Sequence, residues 1–299
     1  MLQPRTISVL LLAALIIPAT TAIGLFAMRE LHLGLRMQSE AVKVNYLLGA
    51  AENRATGEVK RLVRWGVVPA TAADAGGYTA LMAAALGGDP EMIEYLLDRG
   101  ARINAAVTMT SDPDKPAGTT ALMRAAMHGH AQAVRVLLDR GADPNPSIPW
   151  GEFAGMSALF IAVHQGHGEV VDQLLARGTQ VGLHHHVSKH GVAFYPLTLA
   201  LRDERLDIAG KLVAAGSDVD WLVPAGKAKG YSQLMLLCSF EGPPRLKSIE
   251  WVAKRSKAID YSPREGDCRR CTAMSIARDR KHREVMRILA EAGAVKWSD

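Results

Sequence analysis

The chain has 299 residues, of which 48% are hydrophobic and 22% are charged, so it is too apolar for a disordered protein. Only 5% of the residues are aromatic, and three cysteines are too few for a small disulfide-stapled scaffold. The length suggests about two globular domains or one repeat array. The scarcity of large rings favours an array whose core is built from Ala, Leu, Val and Met.

The first predicted element is an apolar segment over residues 7–28, which contains 22 consecutive uncharged residues. A helix of this length is long enough to cross the hydrocarbon layer of a bilayer, which is about 30 Å thick. One interpretation is a transmembrane anchor over residues 1–28, followed by a juxtamembrane segment over 29–44. The other is a signal peptide with Arg5 as its basic start and cleavage after Ala22.

The charges that flank this segment are too few to decide its orientation. The signal-like start favours export of the rest of the chain to the periplasm or another extracytoplasmic space. Two alternatives stay open, a repeat domain that faces the cytoplasm and a protein secreted after cleavage. Cleavage would leave residues 23–28 as an exposed apolar terminus, which favours retention in the membrane.

Residues 45–299 contain a repeated pattern. Near copies at 77–82, 118–123 and 155–160 read Gly-Tyr-Thr-Ala-Leu-Met, Gly-Thr-Thr-Ala-Leu-Met and Gly-Met-Ser-Ala-Leu-Phe. Each copy continues with an Ala-rich stretch, a polar break, a second apolar-periodic stretch and Leu-Leu-x-x-Gly. The pattern resembles the ankyrin repeat family, whose unit is a tight turn and two antiparallel helices. Weaker copies complete seven units, which begin near residues 45, 79, 120, 157, 195, 232 and 272.

This resemblance implies an all-α solenoid of about seven helix-turn-helix units with long finger loops, preceded by one N-terminal hydrophobic helix. The family's Thr-Pro-Leu-His tetrapeptide reads Thr-Ala-Leu-Met at 79–82 and 120–123. The hydrogen bonds of that His are therefore not expected at Met82 or Met123, and packing is left to hold the register.

The turn between the two helices of a unit needs a left-handed residue, for which glycine is best suited. Glycine occupies this position in three units, at Gly88, Gly129 and Gly166. The other units place Arg54, Glu204, Glu241 and Lys281 there, which predicts looser or altered turns. The His residues beside these turns, His128, His130 and His167, are interpreted as structural.

Long connectors between the units indicate where function lies, because in ankyrin arrays they form fingers beside the face where partners dock. The sequence therefore predicts a noncatalytic protein–protein interaction scaffold. Exposed rings and cations in the fingers are candidate anchors, and the alternative for each ring is packing onto the neighbouring helices. The predicted partner-binding residues are Trp150, Phe153, Trp221, Tyr261, Arg269 and Arg270.

The charge distribution is uneven, because residues 227–299 hold 16 Lys and Arg against nine Asp and Glu. Such a basic end can attract an acidic partner or anionic headgroups. Stacking aromatics are not interleaved with these cations, so nucleic acid is not a predicted partner. Neither a nucleophile–base pair nor a phosphate-binding glycine loop is present. We expect a monomeric solenoid with no enzyme activity and no cofactor.

Two clusters support a second hypothesis, a metal- or redox-responsive envelope protein. His184, His185, His186 and His190 are weak candidate metal ligands, because consecutive His residues lack the spacing of a preformed site. Cys268 and Cys271 precede the last unit and would form a local disulfide in an exported protein. Free thiols and a redox role are the alternatives for this pair.

Overall fold

Fourteen helices in seven antiparallel pairs make up the described part of the chain in this computed structural model. The structure describes residues 38–108, 116–149, 154–182, 195–223, 228–240, 242–263 and 271–294. The inner helices, which open the units, are α1 (Glu40–Glu52), α3 (Ala80–Gly87), α5 (Ala121–Met127), α7 (Ala158–Gln165), α9 (Pro196–Arg202), α11 (Gln233–Ser239) and α13 (Ala273–Asp279). The outer helices are α2 (Thr56–Arg64), α4 (Pro90–Asp98), α6 (Ala131–Asp139), α8 (Gly168–Ala176), α10 (Leu206–Ala214), α12 (Leu246–Ala253) and α14 (Arg283–Glu291).

A hydroxyl side chain fixes where most of the inner helices begin. The Thr79 Oγ1 accepts a hydrogen bond from the Met82 backbone N–H at 3.3 Å, which satisfies one of the free donors of the first turn. In α9 the position holds Tyr195, which makes no side-chain cap, and Pro196 at the first helical position begins the helix instead. In six units the inner helix begins one residue after the predicted start of the unit. The other capping hydroxyls belong to Thr120, Ser157, Ser232 and Thr272.

Stacking of successive pairs forms the core. Each inner helix packs on the next inner helix, and outer helices pack on outer helices over most of the array. Ala83, Ala84 and Ala85 are fully buried, and such small side chains allow the neighbouring inner helices to approach closely. The outer helices each bury one apolar face, as Met92, Ile93 and Leu96 do in α4. The all-helical repeat solenoid is therefore confirmed.

The first unit begins earlier than the sequence indicated. Helix α1 starts at Glu40, five residues before the predicted start, so the end of the predicted juxtamembrane segment is helical. The reason is that Val44 continues the apolar face formed by Leu47, Leu48 and Ala51, all of which are buried. The boundary between residues 44 and 45 therefore falls inside a helix.

The turns within the units keep one backbone shape. Arg54, Glu204 and Lys281 have φ values of 58°, 54° and 59°, close to those of the glycines in the same position. The prediction of altered turns is wrong for these three units, and Glu241 lies outside the described residues. The glycines are Gly88, Gly129 and Gly166, with φ values of 68°, 70° and 83°.

The sixth unit departs from the common geometry. Helix α11 ends at Ser239, Phe240 is extended, and residues 242–245 read Gly-Pro-Pro-Arg before α12 begins. The turn between α11 and α12 is therefore longer than the turns inside the other units. Helix α12 packs on α14 but has no comparable contact with α10.

The predicted hydrophobic helix over residues 7–28 lies outside the described residues. Among the helices that the structure describes, none has the length and apolarity needed to traverse a bilayer. The membrane anchor and the signal peptide therefore both stay predictions.

Candidate protein-interaction surface

The connectors fold back to the unit that follows them. Antiparallel bridges join Ala106 to Thr120 and Ser147 to Ser157, so a finger closes where the next inner helix begins. The backbone supports this closure, because the Val107 N–H donates to the Thr119 carbonyl at 3.0 Å. Residues 109–115, 150–153 and 224–227 of these connectors lie outside the described residues. Two further bridges join Ala73 to Thr79 and Leu222 to Ser232.

In the inner helices α5 and α7, polar side chains become exposed only at the C-terminal ends. In α5, residues 121–126 are all buried, whereas His128 just beyond the helix is exposed. In α7, residues 158–163 are buried and the last two are exposed. These ends give an exposed band across the array, which we call the inner row. It consists of His128, His164, Gln165, Asp203 and Arg280.

Hydrogen bonds between units hold the backbone behind the inner row. The Nε2–H of His130 donates to the Leu86 carbonyl of the preceding unit at 2.9 Å. In the next unit, His167 donates in the same way to the Met127 carbonyl at 3.1 Å. The acceptors are carbonyls at the ends of inner helices, which have no partner within the helix.

Arginine takes this role further along the array. Arg205 bonds to the Val163 and His164 carbonyls, and the Arg245 Nε donates to the Arg202 carbonyl at 2.9 Å. The expectation that packing alone holds the register is therefore wrong. The structural interpretation of His130 and His167 is confirmed.

The imidazole of His128, in the inner row, is partly held in its neutral form. Although His128 is exposed at the surface, partial burial of its ring lowers its pKa, and repulsion from His130, Arg124 and His167 lowers it further. The His128 and His130 rings stack with centroids 6.0 Å apart and planes 20° apart. A neutral His128 offers a partner one hydrogen-bond donor and one acceptor.

A buried polar contact below the inner row was not predicted from the sequence. Arg124 is only 3% exposed, and its guanidinium carbon lies 5.4 Å from the centroid of the Tyr78 ring. Burial raises the pKa of Tyr78, and the charge of Glu52 raises it further. The available signal was an Arg where the second unit has Ala83.

Two of the predicted anchor rings are described, and both contact their own chain. The centroids of the Trp221 and Tyr195 rings lie 3.7 Å apart, with the planes tilted by 54°. Trp221 also packs against a small buried cluster that includes Val223 and Leu236. Tyr261 is half-buried against the main core. Partner binding by these two rings stays a prediction.

The remaining candidate residues lie mostly outside the described residues. Within the described ranges, no group of three or more His, Cys, Asp or Glu side chains is arranged to hold a metal ion. Cys271 is disulfide-bonded, whereas Cys238 is a buried free thiol whose pKa burial raises to about 12. The residues outside are Trp150, Phe153, Arg269, Arg270, His184, His185, His186, His190 and Cys268.

Sequence comparison gives the family. A profile described as "Ankyrin repeats (3 copies)" matches residues 27–107, 47–148 and 106–185, which together span more than half of the chain. This chain belongs to the ankyrin repeat family. Ankyrin repeat proteins are generally noncatalytic scaffolds that mediate protein–protein interactions.

Among solved structures, the chain is similar to the human ASB11 ankyrin repeat domain, seen in a crystal structure. The TM-score is 0.61 at 22% sequence identity, and the match covers 84% of this chain and 98% of that chain. At this identity the likeness extends to the ankyrin fold alone. No curated protein matches the chain.

Proposed function

We propose that this ankyrin repeat protein is a noncatalytic scaffold that binds a protein partner along its inner row and fingers. The observation that carries the proposal is the contrast within the inner helices. The bodies of α5, α7 and α9 are buried by stacking, whereas the C-terminal ends of these helices expose His128, Gln165 and Asp203 in successive units. The fingers close beside the opposite ends of the same helices.

The chemistry of the inner row suits a polar protein surface. The row spans several units and carries an amide, a carboxylate and imidazoles, which recognise a partner through hydrogen bonds. Its backbone is held in place by the bonds from His130, His167 and Arg205 to the units before them. A preorganised surface loses less conformational entropy when it binds.

The same proposal includes anchoring through residues 7–28 with the repeat domain exported. The disulfide at Cys271 supports an oxidising compartment, where such bonds persist. A reporter fused after Asp299 distinguishes the topologies, since one that is active only in an oxidising compartment stays inactive if the domain faces the cytoplasm. Activity in the membrane fraction supports the anchored form, and activity in the medium supports secretion after cleavage.

Site-specific photo-crosslinking tests the interaction surface. A photo-reactive amino acid replaces Gln165 of the inner row in the full chain, expressed in intact cells. The matched control places it at Gln132, which is also exposed but lies on the outer helix α6. We expect one discrete covalent adduct from position 165 and none from position 132. Equal adducts from both positions, or an adduct from position 132 alone, would overturn the proposed surface.

A further inference from the structure

We propose that one end of the first unit, formed by Val42, Arg64 and Trp65, rests on the headgroup region of the membrane that holds residues 7–28. This inference depends on the proposed anchoring. Val42 and Trp65 are the two exposed large hydrophobic side chains among the described residues, at 46% and 47% exposure. Both belong to the unit that follows the apolar segment directly in the chain.

The helix pairing places these residues together. Helices α1 and α2 pack on each other and are joined by residues 53–55 alone, so they run antiparallel. Val42 lies in the first turn of α1, and Trp65 follows the last residue of α2. The start of α1 and the end of α2 therefore form the same end of the unit. It is also the end where the chain enters from the apolar segment.

The reach of the chain is short enough for contact. Ten peptide steps separate Met28 from Gln38, and an extended chain covers at most about 35 Å over that distance. This is a strict upper limit. The first unit is thereby confined near the surface of any bilayer that holds residues 7–28.

The position of Trp65 has a different role in the third and fourth units. There it holds Arg140 and Arg177, which form ion pairs with Asp98 and Asp139 of the unit before. The first unit has no described unit before it, and its residue is an exposed Trp instead. Tryptophan is enriched where a protein meets the membrane interface, because its ring is apolar and its N–H is polar.

Arg64 gives this surface a positive charge that can bind lipid phosphate. It is exposed and makes no ion pair or hydrogen bond within the described residues, whereas Arg61 is paired with Glu58 and Lys60 with Glu91. A guanidinium beside an interfacial Trp can bond to lipid phosphate with two parallel N–H groups. The occupant of this surface is therefore the phosphate layer of a bilayer.

Fluorescence quenching in vesicles tests the contact. The full chain is reconstituted into phosphatidylcholine–phosphatidylglycerol vesicles that contain lipids brominated near the headgroup. Residues 7–28 contain no Trp, so the anchor gives no Trp emission of its own. We expect a bromolipid-quenched component in the wild type that is lost in Trp65→Phe and reduced in Arg64→Glu. The matched control, Trp251→Phe, changes a half-buried Trp of the sixth unit and keeps that component.

Flotation of the vesicles separates the two possible failures. If the chain floats with the vesicles but Trp65 is quenched by aqueous acrylamide and not by bromolipid, the surface contact is wrong and the anchoring stands. A dimer through this end would give Trp65 protection from both quenchers, which also overturns the contact. If the chain does not float, the anchoring itself fails and the contact fails with it.

Discussion

The His130 ring lies directly over Gly88 of the preceding unit. A Cβ added at residue 88 would be 2.4 Å from the His130 Cγ, a distance that real Cβ atoms do not reach. The same ring donates its Nε2–H to the Leu86 carbonyl. Glycine is therefore favoured at residue 88 for two reasons. Its φ of 68° is left-handed, and the His130 ring occupies the space that a Cβ would need.

We expect Gly88→Ala to destabilise the array by about 2–3 kcal/mol, the sum of left-handed strain and a lost hydrogen bond. Gly141 is the matched control, because its φ is 88° but nothing lies within 4 Å of its added Cβ. Gly141→Ala carries the strain alone, about 1–2 kcal/mol. Urea midpoints followed by circular dichroism measure the difference. Equal losses in the two variants would show that the ring moves aside freely.

At Lys281 the opposite substitution, from a side chain to glycine, is expected to increase stability. Its φ of 59° lies in the left-handed region, and the structure describes no unit after it whose side chain would cover the turn. We expect Lys281→Gly to stabilise the chain by about 1 kcal/mol, because glycine removes the strain of a Cβ in this conformation.

The control for Lys281→Gly is Arg135→Gly on an exposed face of α6, which we expect to destabilise by about 1 kcal/mol. Thermal midpoints compare the two variants. A lower midpoint for Lys281→Gly than for the wild type would contradict the prediction.

The junction between the fifth and sixth units depends on buried hydrogen bonds. The Thr198 hydroxyl donates to the Gln233 Oε1 at 2.9 Å, and both residues are buried. The Ser248 hydroxyl donates to the Leu201 carbonyl at 2.6 Å across the same junction. These bonds matter because α10 and α12 do not pack closely there.

We expect Gln233→Leu to destabilise this junction by about 1–3 kcal/mol, because it leaves the buried Thr198 hydroxyl without its partner. Repeat arrays can lose cooperativity at a weak interface. Hydrogen exchange should then become faster in α11 to α14 while α3 to α7 stay protected. Gln165→Leu, at an exposed glutamine, should change neither region. Uniformly faster exchange along the whole array would contradict a local junction.

The parts of the fold that could be predicted from the sequence are those set by local chemistry. A Thr or Ser before an apolar-periodic stretch caps the helix that follows, as Thr79 does. The starts of such units could therefore be predicted from the sequence. Contacts between units could not be predicted in this way, because they depend on which residue of the neighbouring unit a side chain reaches. His130 could be recognised as structural, but its acceptor at Leu86 could not.

The predictions that were wrong also concern features that depend on packing between helices. Left-handed turns at Arg54, Glu204 and Lys281 persist because the stacked helices on both sides determine the backbone, which outweighs the local preference of the residue. The start of α1 at Glu40 follows from packing on α3, because Ser39 at the N-cap makes no side-chain hydrogen bond to the first turn. For the candidate site, the buried Arg124 was visible in the sequence only as an exception to the Ala-rich pattern.

Stability should fall in mild acid, and His128 should account for part of the fall. Its folded-state pKa lies below the usual 6.5, because of burial and of the nearby His130, Arg124 and His167. The unfolded chain therefore takes up a proton first as the pH falls. The stabilisation from a neutral His128 is complete above the unfolded pKa and is lost as the pH falls through the folded pKa.

Urea midpoints at about pH 7.5 and about pH 5 measure this dependence. We expect His128→Gln to reduce the loss between the two conditions, because a glutamine side chain does not titrate. The control Gln132→His adds an exposed histidine on α6, which should leave the wild-type difference unchanged. The same acid loss in His128→Gln as in the wild type would assign the pH dependence to other groups.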